Sequence, residues 1–283
     1  MNDIIEKLDC GSLIQHGAFN DRIYLLEASD KDLKTLPERL IKIAEENGYG
    51  KIFAKINESK SAPFLAKDFV PEARIPGMYP DNHEALFLAY YLDKARKEEG
   101  KKQIYEKNLQ LALKKKKTRS VKQKSDKFTI RTCTEDDLPR MKEIYEKVFK
   151  TYPFPIHDIS YLRQMMTGNL DYFCIEKKGK IVALASAEKN KENKYCEMTD
   201  FATMPDWRGR GYAQYLLQEM EEAMKKQGYK TAFTIARAIS PGMNITFAKA
   251  AYTFAGRLKN NTNISGNIES MNIWYKDLVK HES

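Results

Sequence analysis

Residues 200–217 combine an apolar strand, a turn with two glycines and the start of a long amphipathic helix, in the order DFATMPDWRGRGYAQYLL. Glycines in such a turn let backbone N–H groups converge at the positive end of a helix, where a diphosphate can bind. Gly209 and Gly211 would provide this access, and Arg208 and Arg210 would add positive charge. A purely structural turn with exposed arginines is the alternative interpretation.

Strand and helix patterns alternate along the rest of the chain. From 128 to 277 they follow the order β-α-α-β-β-β-α-β-α-β-β, and from 12 to 92 the order β-β-α-β-α-β-β, which matches the last part of the first. We therefore predict an α/β (α+β) fold with a mixed, mostly antiparallel sheet in the C-terminal half and a degenerate half-copy before it. The N-terminal turn ASDKDLKTLP has no glycine, so this copy would cover the substrate site rather than bind a cofactor.

A charge-rich stretch between the two patterns predicts the domain boundaries. We expect an N-terminal domain over 1–97, a basic helical or flexible linker over 98–126 and a C-terminal domain over 127–283. The net charge of +9 suits nucleic acid, a membrane surface or a phosphate-bearing cofactor. The lysine run at 114–117 has no interleaved aromatic residues, which favours a solvated face over a nucleic-acid contact.

Several classes of protein are disfavoured by the remaining composition. The four cysteines show no CxxC spacing, which argues against a zinc ribbon or a disulfide framework. The N-terminus MNDIIEKLDC lacks the basic and apolar segments of a signal peptide, and no stretch approaches the roughly 20 apolar residues of a membrane span. The sequence predicts a cytoplasmic protein with no metal and no membrane contact.

The glycine turn also carries a family resemblance. Arg208, Gly211 and Ala213 fit the Q/R-x-x-G-x-G/A signature of the GNAT superfamily of N-acetyltransferases, at the fourth-strand to third-helix junction where that family has it. The resemblance covers about 128–275 and implies acetyl-CoA as co-substrate, with its pyrophosphate on the turn amides and its pantetheine arm along the preceding strand. The implied cofactor-binding residues are Phe201, Ala202, Thr203, Arg208, Gly209, Arg210, Gly211, Tyr212, Ala213 and Asn244, the last of which is alternatively a polar residue at a helix start.

Amine acetylation needs a general base, because an alkyl ammonium has a pKa near ~10.4 and only a small fraction of it is reactive at neutral pH. Glu197 precedes Arg208 by the spacing that separates the catalytic glutamate from the motif in GNAT enzymes of the histone-acetylating type. We predict Glu197 as the base, directly or through a water, with Asp200 in reserve. A salt-bridged strand carboxylate is the alternative for Glu197.

The general acid of many family members has no clear counterpart in this sequence. If Ala251-Tyr252 replaces the usual Gly-Phe pair, the acid position falls on Phe247, which cannot donate a proton. Tyr252 would serve only under a shifted alignment, and a core aromatic is an equally good interpretation. Coenzyme A is a good enough leaving group to need no acid.

Two further stretches narrow the acceptor. EARIPGMYPDNHEALFLAYYLDKAR and GRLKNNTNISGNIESMNIWYK resemble the microbial β-lysine N6-acetyltransferases, as does the two-part layout. That family acetylates the terminal amine of L-β-lysine, which lysine 2,3-aminomutase supplies without required physical contact, to give the compatible solute Nε-acetyl-β-lysine. Candidates chosen by side-chain type are Arg74 for the substrate carboxylate and Asp81, Glu84 and Glu269 for its ammonium. Residues that would shape the pocket, or else serve turns and core, are Tyr79, Asn260, Asn261, Asn263 and Trp274.

Other acceptors and one other class of function stay open. Lysine, a polyamine or a protein lysine would suit the same superfamily, although an extra N-terminal half argues for a closed site. The non-enzymatic alternative is a nucleic-acid-binding module that uses the basic linker. The intact Glu197 and the complete Arg208–Ala213 motif count against this module. A homodimer is compatible with the sequence, which does not set the oligomeric state.

Overall fold

The computed structural model of the chain describes residues 3–115 and 128–279. The N-terminal part contains β1 (Ile4–Lys7), β2 (Leu13–Gly17), β3 (Arg22–Glu27), α1 (Leu36–Glu46), β4 (Lys51–Asn57), α2 (Ala62–Leu65), β5 (Val70–Ile75) and β6 (Ala85–Tyr91). This order agrees with the sequence pattern except for β1, which the pattern did not predict because all four of its residues are exposed. Helix α3 (Lys102–Leu113) follows.

The C-terminal part has the predicted order of eleven elements. They are β7 (Thr129–Thr132), α4 (Leu138–Val148), α5 (Ile159–Thr167), β8 (Leu170–Lys177), β9 (Lys180–Asn190), β10 (Tyr195–Thr203), α6 (Tyr212–Lys226), β11 (Thr231–Arg237), α7 (Pro241–Lys249), β12 (Thr253–Ile264) and β13 (Asn267–Asp277). A capping box between Thr134 and Asp137 opens the turn before α4, and the side chain of Ser240 caps α7.

One sheet runs through both parts, in the order β1-β2-β3-β4-β6-β5-β12-β13-β11-β10-β9-β8-β7. Among the strand pairs of the described residues, β3–β4 and β10–β11 are parallel and the others are antiparallel. The predicted mixed, mostly antiparallel sheet is therefore confirmed. A hydrophobic cluster spans both parts, because Tyr24 and Phe53 pack with Tyr195, Phe233 and Met271.

The two halves of the sheet are built alike around their junction. In each half a parallel pair is joined by a helix, and the last two strands form a hairpin whose final strand lies beside the second strand of that pair. The halves meet where Gly256 of β12 lies opposite Ala73 of β5, and each of these strands has a bulge just before that residue. The Ala73–Gly256 pair thus lies on a local pseudo-twofold axis, which supports the interpretation of the N-terminal half as a diverged copy.

Close approach at this junction requires a glycine. Gly256 has a φ of +147°, and a Cβ added there would collide with the carbonyl oxygen of Glu72 and lie 2.6 Å from Ala73 Cα. Any side chain at this position would push the two halves apart.

Beyond Gly256, side chains of the N-terminal half bond to the backbone of β12 in place of a neighbouring strand. Several carry charge, and the contacts reach successive residues of β12. They are Lys51 Nζ to Lys259 O (2.7 Å), Arg96 Nη2 to Asn260 O (2.8 Å), Arg22 Nη1 to Asn261 O (2.5 Å), Lys259 N to Glu72 Oε1 (2.9 Å) and Asn263 N to Asn20 Oδ1 (2.7 Å). The seam is therefore specified by side chains rather than by a backbone ladder.

The first part of the expected linker is an ordered helix that packs on the C-terminal half. Asn108 Nδ2 of α3 donates to the carbonyl oxygens of Ala238 (3.1 Å) and Ile239 (3.0 Å), and Leu109 joins the hydrophobic cluster around α6. Helix α3 agrees with the helical part of the expected basic linker, and its packing on the C-terminal half was not indicated by the sequence. The rest of the expected linker, 116–126, lies outside the described residues, as do two lysines of the run at 114–117. Within 3–115 and 128–279, no helix has the length and apolar character needed to cross a membrane.

Candidate active site

Strands β10 and β11 separate at the centre of the C-terminal half. Their parallel pairing covers only 195–197 of β10, and a bulge between Thr199 and Ala202 follows, where Asp200 has a φ of +55°. Strand β10 nevertheless stays paired with β9 as far as Thr203. The side of 201–203 that faces β11 is thus left without a strand partner in the described structure, as the expected pairing with a pantetheine arm requires.

The glycine turn lies directly after this gap. Gly209 and Gly211 have φ values of +75° and +78°, and a Cβ added at either would meet no atom within 4 Å. Helix α6 starts at the next residue, Tyr212, so the N–H groups of its first turn lie next to these glycines. Arg208 Nε donates to Thr203 O at 3.2 Å, and the Arg210 guanidinium lies 5.1 Å from the ring centre of Trp207. This open, positively charged turn fits the diphosphate of acetyl-CoA.

The side chain of Asn244 is committed to hydrogen bonds within the protein. Its side chain has no exposed surface, and its Nδ2 donates to the carbonyl oxygens of Arg237 (3.0 Å) and Ser240 (2.7 Å). Its Oδ1 accepts from Asn272 Nδ2 (2.8 Å) and Trp274 Nε1 (2.9 Å). The amide is fully used in holding α7 against β11 and β13, so a direct side-chain contact with the cofactor is not what the structure shows. Trp274 likewise belongs to the core.

A cavity of about 490 Å³ lies between the two halves, next to the separated strands. The N-terminal half contributes Arg22, Tyr24, Phe53 and Lys55 to its wall, and the C-terminal half contributes three carboxylates, those of Glu188, Glu197 and Asp200. Volumes of this order are usual for small-molecule sites. The cavity therefore offers charges of both signs in a largely apolar enclosure.

Glu197 lies in this wall, opposite Phe233 in the β10–β11 register. Alternation along β10 buries Met198 on the other face. Burial, and then the nearby Glu188, raise the pKa of Glu197 to about 8, while Lys55 acts in the opposite direction. A backbone hydrogen bond from Ile235 reaches the carboxyl group. A carboxylate with this pKa is well matched to proton abstraction near neutral pH.

Asp200, the reserve base, is engaged on both oxygens. Tyr152 OH donates to Oδ1 at 2.6 Å and Ser186 Oγ donates to Oδ2 at 2.5 Å. Burial raises the pKa of Asp200, and these two donors oppose that rise. Its left-handed backbone places it in the bulge that separates the strands. The geometry thus favours a structural role for Asp200 and leaves Glu197 as the better base.

Tyr252 lies outside the cavity wall. It is fully buried, its ring packs on Phe247 at 5.1 Å between centroids, and its hydroxyl has no hydrogen-bond partner among the described residues. Phe247 does line the cavity. The interpretation of Tyr252 as a core aromatic fits this placement, and a role as general acid does not.

Two cations in the wall come from the N-terminal half. Lys55 Nζ lies 4.9 Å from the ring centre of Tyr195 and 5.0 Å from that of Phe233. Burial alone would lower the pKa of Lys55, but nearby acidic groups raise it overall. Arg22 is only 3% exposed, and burial lowers its pKa to about 10, so it remains charged at neutral pH. Within the described residues, neither cation has a carboxylate within 4 Å.

Glu269 has a role other than the predicted contact with an ammonium. Its carboxylate pairs with Arg237 through two hydrogen bonds, at 2.8 Å to Nε and 2.7 Å to Nη2. Arg237 lines the cavity, whereas Glu269 is 3% exposed behind it. Glu269 therefore positions Arg237 and neutralises its charge.

Four other predicted substrate residues also lie outside the cavity wall. Arg74 is exposed and forms an ion pair with Glu84 at 3.5 Å, and Asp81 lies in an exposed turn. The ring of Tyr79 packs edge-on against that of Tyr195, at 5.8 Å between centroids, and Tyr195 itself lines the cavity. Arg74, Asp81 and Glu84 were selected by side-chain type alone, and the fold directs them to the surface of β5 and its turn.

Of the predicted pocket residues, Asn261 is the one in the cavity wall. Asn260 and Asn263 instead bond to the N-terminal backbone, through Asn260 Nδ2 to Arg96 O (2.9 Å) and Asn263 Nδ2 to Phe19 O (2.7 Å). The sequence interpretation missed Arg22, Lys55 and Glu188. For Arg22 and Lys55 the available signal was a charged residue within a largely apolar strand pattern, RIYLLE and KIFAKI respectively. Residues 3–115 and 128–279 contain no cluster of acidic, histidine or cysteine side chains that could hold a metal ion.

Comparison with known proteins agrees with this geometry. The model of the Acetyltransferase (GNAT) family matches residues 138–241. The chain is 40% identical to the β-lysine N(6)-acetyltransferase of Methanococcus maripaludis, over 98% of this chain and 99% of that protein. It is 32% identical to the N-acetyltransferase YodP of Bacillus subtilis, over 94% and 96% of the two chains. It is also 38% identical to the β-lysine N(6)-acetyltransferase of Methanosarcina mazei, over 53% and 56%.

These likenesses cover both halves of the chain and agree with the glycine turn and the separated strands. The predicted superfamily, its fold class and its use of acetyl-CoA are confirmed. The chain belongs to the GNAT family and is an acetyl-CoA-dependent N-acetyltransferase.

Proposed function

We propose that this enzyme acetylates the N6 amine of L-β-lysine to give Nε-acetyl-β-lysine. The observation that carries the proposal is the charge distribution of the cavity between the halves. Its C-terminal wall has the carboxylates of Glu188, Glu197 and Asp200, and its N-terminal wall has two cations without a carboxylate partner among the described residues, Arg22 and Lys55. Such a site suits a small molecule that carries two ammonium groups and one carboxylate. The likeness to the Methanococcus maripaludis protein over both halves supports the same substrate.

Glu197 acts as the general base in this proposal. It accepts a proton from the terminal ammonium, directly or through a water, and the freed amine attacks the carbonyl carbon of the thioester. A C–N bond forms, the C–S bond breaks, and coenzyme A leaves as a thiolate that takes up the surplus proton of the new amide nitrogen. Acetyl-CoA supplies the activated acetyl group. The glycine turn and the free side of 201–203 would hold it so that its thioester reaches the gap between β10 and β11.

The raised pKa of Glu197 gives this mechanism a defined pH dependence. The base must be ionised to act, and burial together with Glu188 places its pKa at about 8. We therefore expect kcat/KM to rise with pH below about 8 and to level off above it. Glu197→Gln should remove this dependence along with most of the activity.

The test measures thiol release from acetyl-CoA with L-β-lysine, L-lysine, spermidine and a lysine peptide as acceptors, with mass spectrometry of the product. Wild type should act best on L-β-lysine and give the N6-acetyl product. Glu197→Gln should lower kcat/KM by roughly 10²–10⁴-fold, as expected for loss of a general base. Glu192→Gln, in the exposed turn between β9 and β10, is the matched control and should retain full activity.

Two results would count against the proposal in different ways. Preference for spermidine or the peptide would exclude L-β-lysine as substrate and leave the enzyme class intact. Full activity of Glu197→Gln on L-β-lysine would exclude Glu197 as the base.

The physiological setting follows from the product. Acetylation removes one of the two positive charges of β-lysine and leaves a neutral zwitterion, which suits a compatible solute. Lysine 2,3-aminomutase would supply the substrate without physical contact. The N-terminal half would serve to cover the substrate site, since it contributes one wall of the cavity.

A further inference from the structure

Arg22 is a buried cation with unused hydrogen-bonding capacity in the cavity wall. Its Nη1 donates to Asn261 O at 2.5 Å and to Thr262 Oγ1 at 3.3 Å, which fixes the guanidinium against β12. Its Nε is buried and has no hydrogen-bond partner among the described residues. The other arginine of the wall, Arg237, is already neutralised by Glu269. A buried, unpaired guanidinium is costly unless a ligand supplies the missing anion.

Asn261 offers an unused acceptor beside it. The residue is 1% exposed and lines the cavity, and its Nδ2 lies 3.4 Å from Thr262 Oγ1. Its Oδ1 is buried and accepts no hydrogen bond within the described structure. A buried donor on Arg22 and a buried acceptor on Asn261 are therefore both left without a hydrogen-bond partner among the described residues of the seam. The donor is suited to an anionic group of a ligand, and the acceptor is suited to a neighbouring cationic group of the same ligand.

We propose that Arg22 binds the carboxylate of the acceptor and that Asn261 Oδ1 binds its β-ammonium. This inference rests on the proposed function and extends it by naming the subsite that recognises the β-amino acid end. The two residues come from different halves, so the subsite exists only when the side chain of Arg22 on β3 reaches the backbone of β12 across the seam.

The arrangement accounts for the choice between the two amines. Tyr24 separates the subsite from the base, since the Arg22 guanidinium lies 5.3 Å from its ring centre and the charge of Glu197 also acts on its hydroxyl. An acceptor held by its carboxylate and β-ammonium at Arg22 and Asn261 would extend its aliphatic chain along Tyr24 and Phe53 toward Glu197. The terminal amine would then be the one that reaches the base.

The experiment compares three acceptors that differ by one group each. L-β-Lysine carries both groups, pentane-1,4-diamine lacks the carboxylate, and 6-aminohexanoate lacks the β-amine. Arg22→Met should lower kcat/KM by at least about 30-fold for the two carboxylates, because a buried charge partner is lost. The same variant should change kcat/KM for the diamine by less than about threefold, which also shows that it is folded.

Asn261→Ala should give the complementary pattern, since it removes the acceptor but keeps the backbone carbonyl that holds Arg22. We expect a loss of about tenfold for L-β-lysine and the diamine, and little change for 6-aminohexanoate. Arg74→Met is the matched control for Arg22→Met, because Arg74 is exposed outside the cavity, and all three rates should stay at the wild-type value.

Equal losses with all three acceptors in Arg22→Met, or no loss with L-β-lysine, would overturn the subsite while wild-type turnover of L-β-lysine still supports the proposed function. Failure of wild type to acetylate L-β-lysine would overturn the proposed function and the subsite together.

Discussion

The N-terminal and C-terminal halves share a strand arrangement but differ at the position of the proposed base and at the turn that is proposed to hold the cofactor. Tyr24 pairs with Phe53 in the first half as Glu197 pairs with Phe233 in the second, so Tyr24 occupies the position that corresponds to the proposed base. In both halves this position faces the shared cavity. The same scaffold therefore supplies a carboxylate on one side and an aromatic ring with a hydroxyl group on the other.

The strand-to-helix turns show why only one half is suited to acetyl-CoA. In the C-terminal half the turn ends at Gly211, whose left-handed conformation opens the start of α6. In the N-terminal half α1 begins after Thr35, which has a φ of −101°, and the turn has no glycine. Strand β3 also has an extra residue, Leu26, in its pairing with β2, as β10 has a bulge in its pairing with β9. We infer that the turn, not the topology, determines cofactor binding.

The largest expected effect tests whether the two halves are one cooperative unit. Gly256→Ala should lower the free energy of unfolding by about 3 kcal/mol, because a methyl group collides with β5 and the backbone has a positive φ. Since a hydrophobic cluster spans both halves, urea unfolding followed by fluorescence should shift as a single transition.

Gly266→Ala is the control for Gly256→Ala. Gly266 also has a positive φ, +81°, but a Cβ there meets no atom within 4 Å, so the expected loss is only about 1 kcal/mol. Equal losses in the two variants would mean that the junction is not tightly packed. Two separate transitions would mean that the halves unfold independently.

A smaller effect should distinguish the cofactor turn from a structural glycine in the other half. Gly211→Ala and Gly48→Ala both place a side chain at a positive φ in open space, so each should cost about 1 kcal/mol of stability. Only Gly211→Ala should raise the KM for acetyl-CoA, by about tenfold, because its methyl group occupies the space assigned to the diphosphate. Steady-state kinetics with varied acetyl-CoA would measure this, and similar KM values for both variants would contradict the assignment.

The smallest effect compares how the two halves act on the pKa of Glu197. Glu188 from the C-terminal half raises this pKa, and Lys55 from the N-terminal half lowers it. Glu188→Gln should therefore move the midpoint of the pH–rate profile down, and Lys55→Met should move it up, each by roughly one pH unit or less. The shift should be larger for Glu188→Gln. Shifts in the same direction would mean that the profile does not report Glu197.

The fold was largely predictable because its elements carry local signals. Helix caps such as Ser240, the glycine turn and alternating apolar residues all depend on short stretches of sequence. Strand β1 gave no such signal, because an exposed edge strand has no buried face. Helix α3 was predicted, but its packing on α7 depends on contacts such as that of Asn108 with residues 238 and 239, distant in sequence.

The site was predictable only where a motif fixes a residue relative to the chain. Glu197 has a set spacing from the glycine turn, and it lies in the cavity as expected. Arg74, Asp81 and Glu84 were chosen by charge, and no local pattern states which surface of β5 they occupy. Arg22 is fixed in the cavity wall because its side chain extends from β3 of one half to the backbone of β12 in the other. The spacing of residues in the sequence does not encode that contact.

The seam along β12 has a consequence for solubility. A strand at the edge of a sheet exposes N–H and C=O groups that can recruit another chain and start aggregation. Here the groups from Lys259 to Asn263 are occupied by side chains such as Lys51, Arg96 and Asn20, which leave no surface on which a foreign strand could add. A C-terminal half expressed alone would lose these side chains and expose a twelve-residue strand next to unshielded aromatic rings. The N-terminal half would thus protect its neighbour from self-association as well as forming a wall of the cavity.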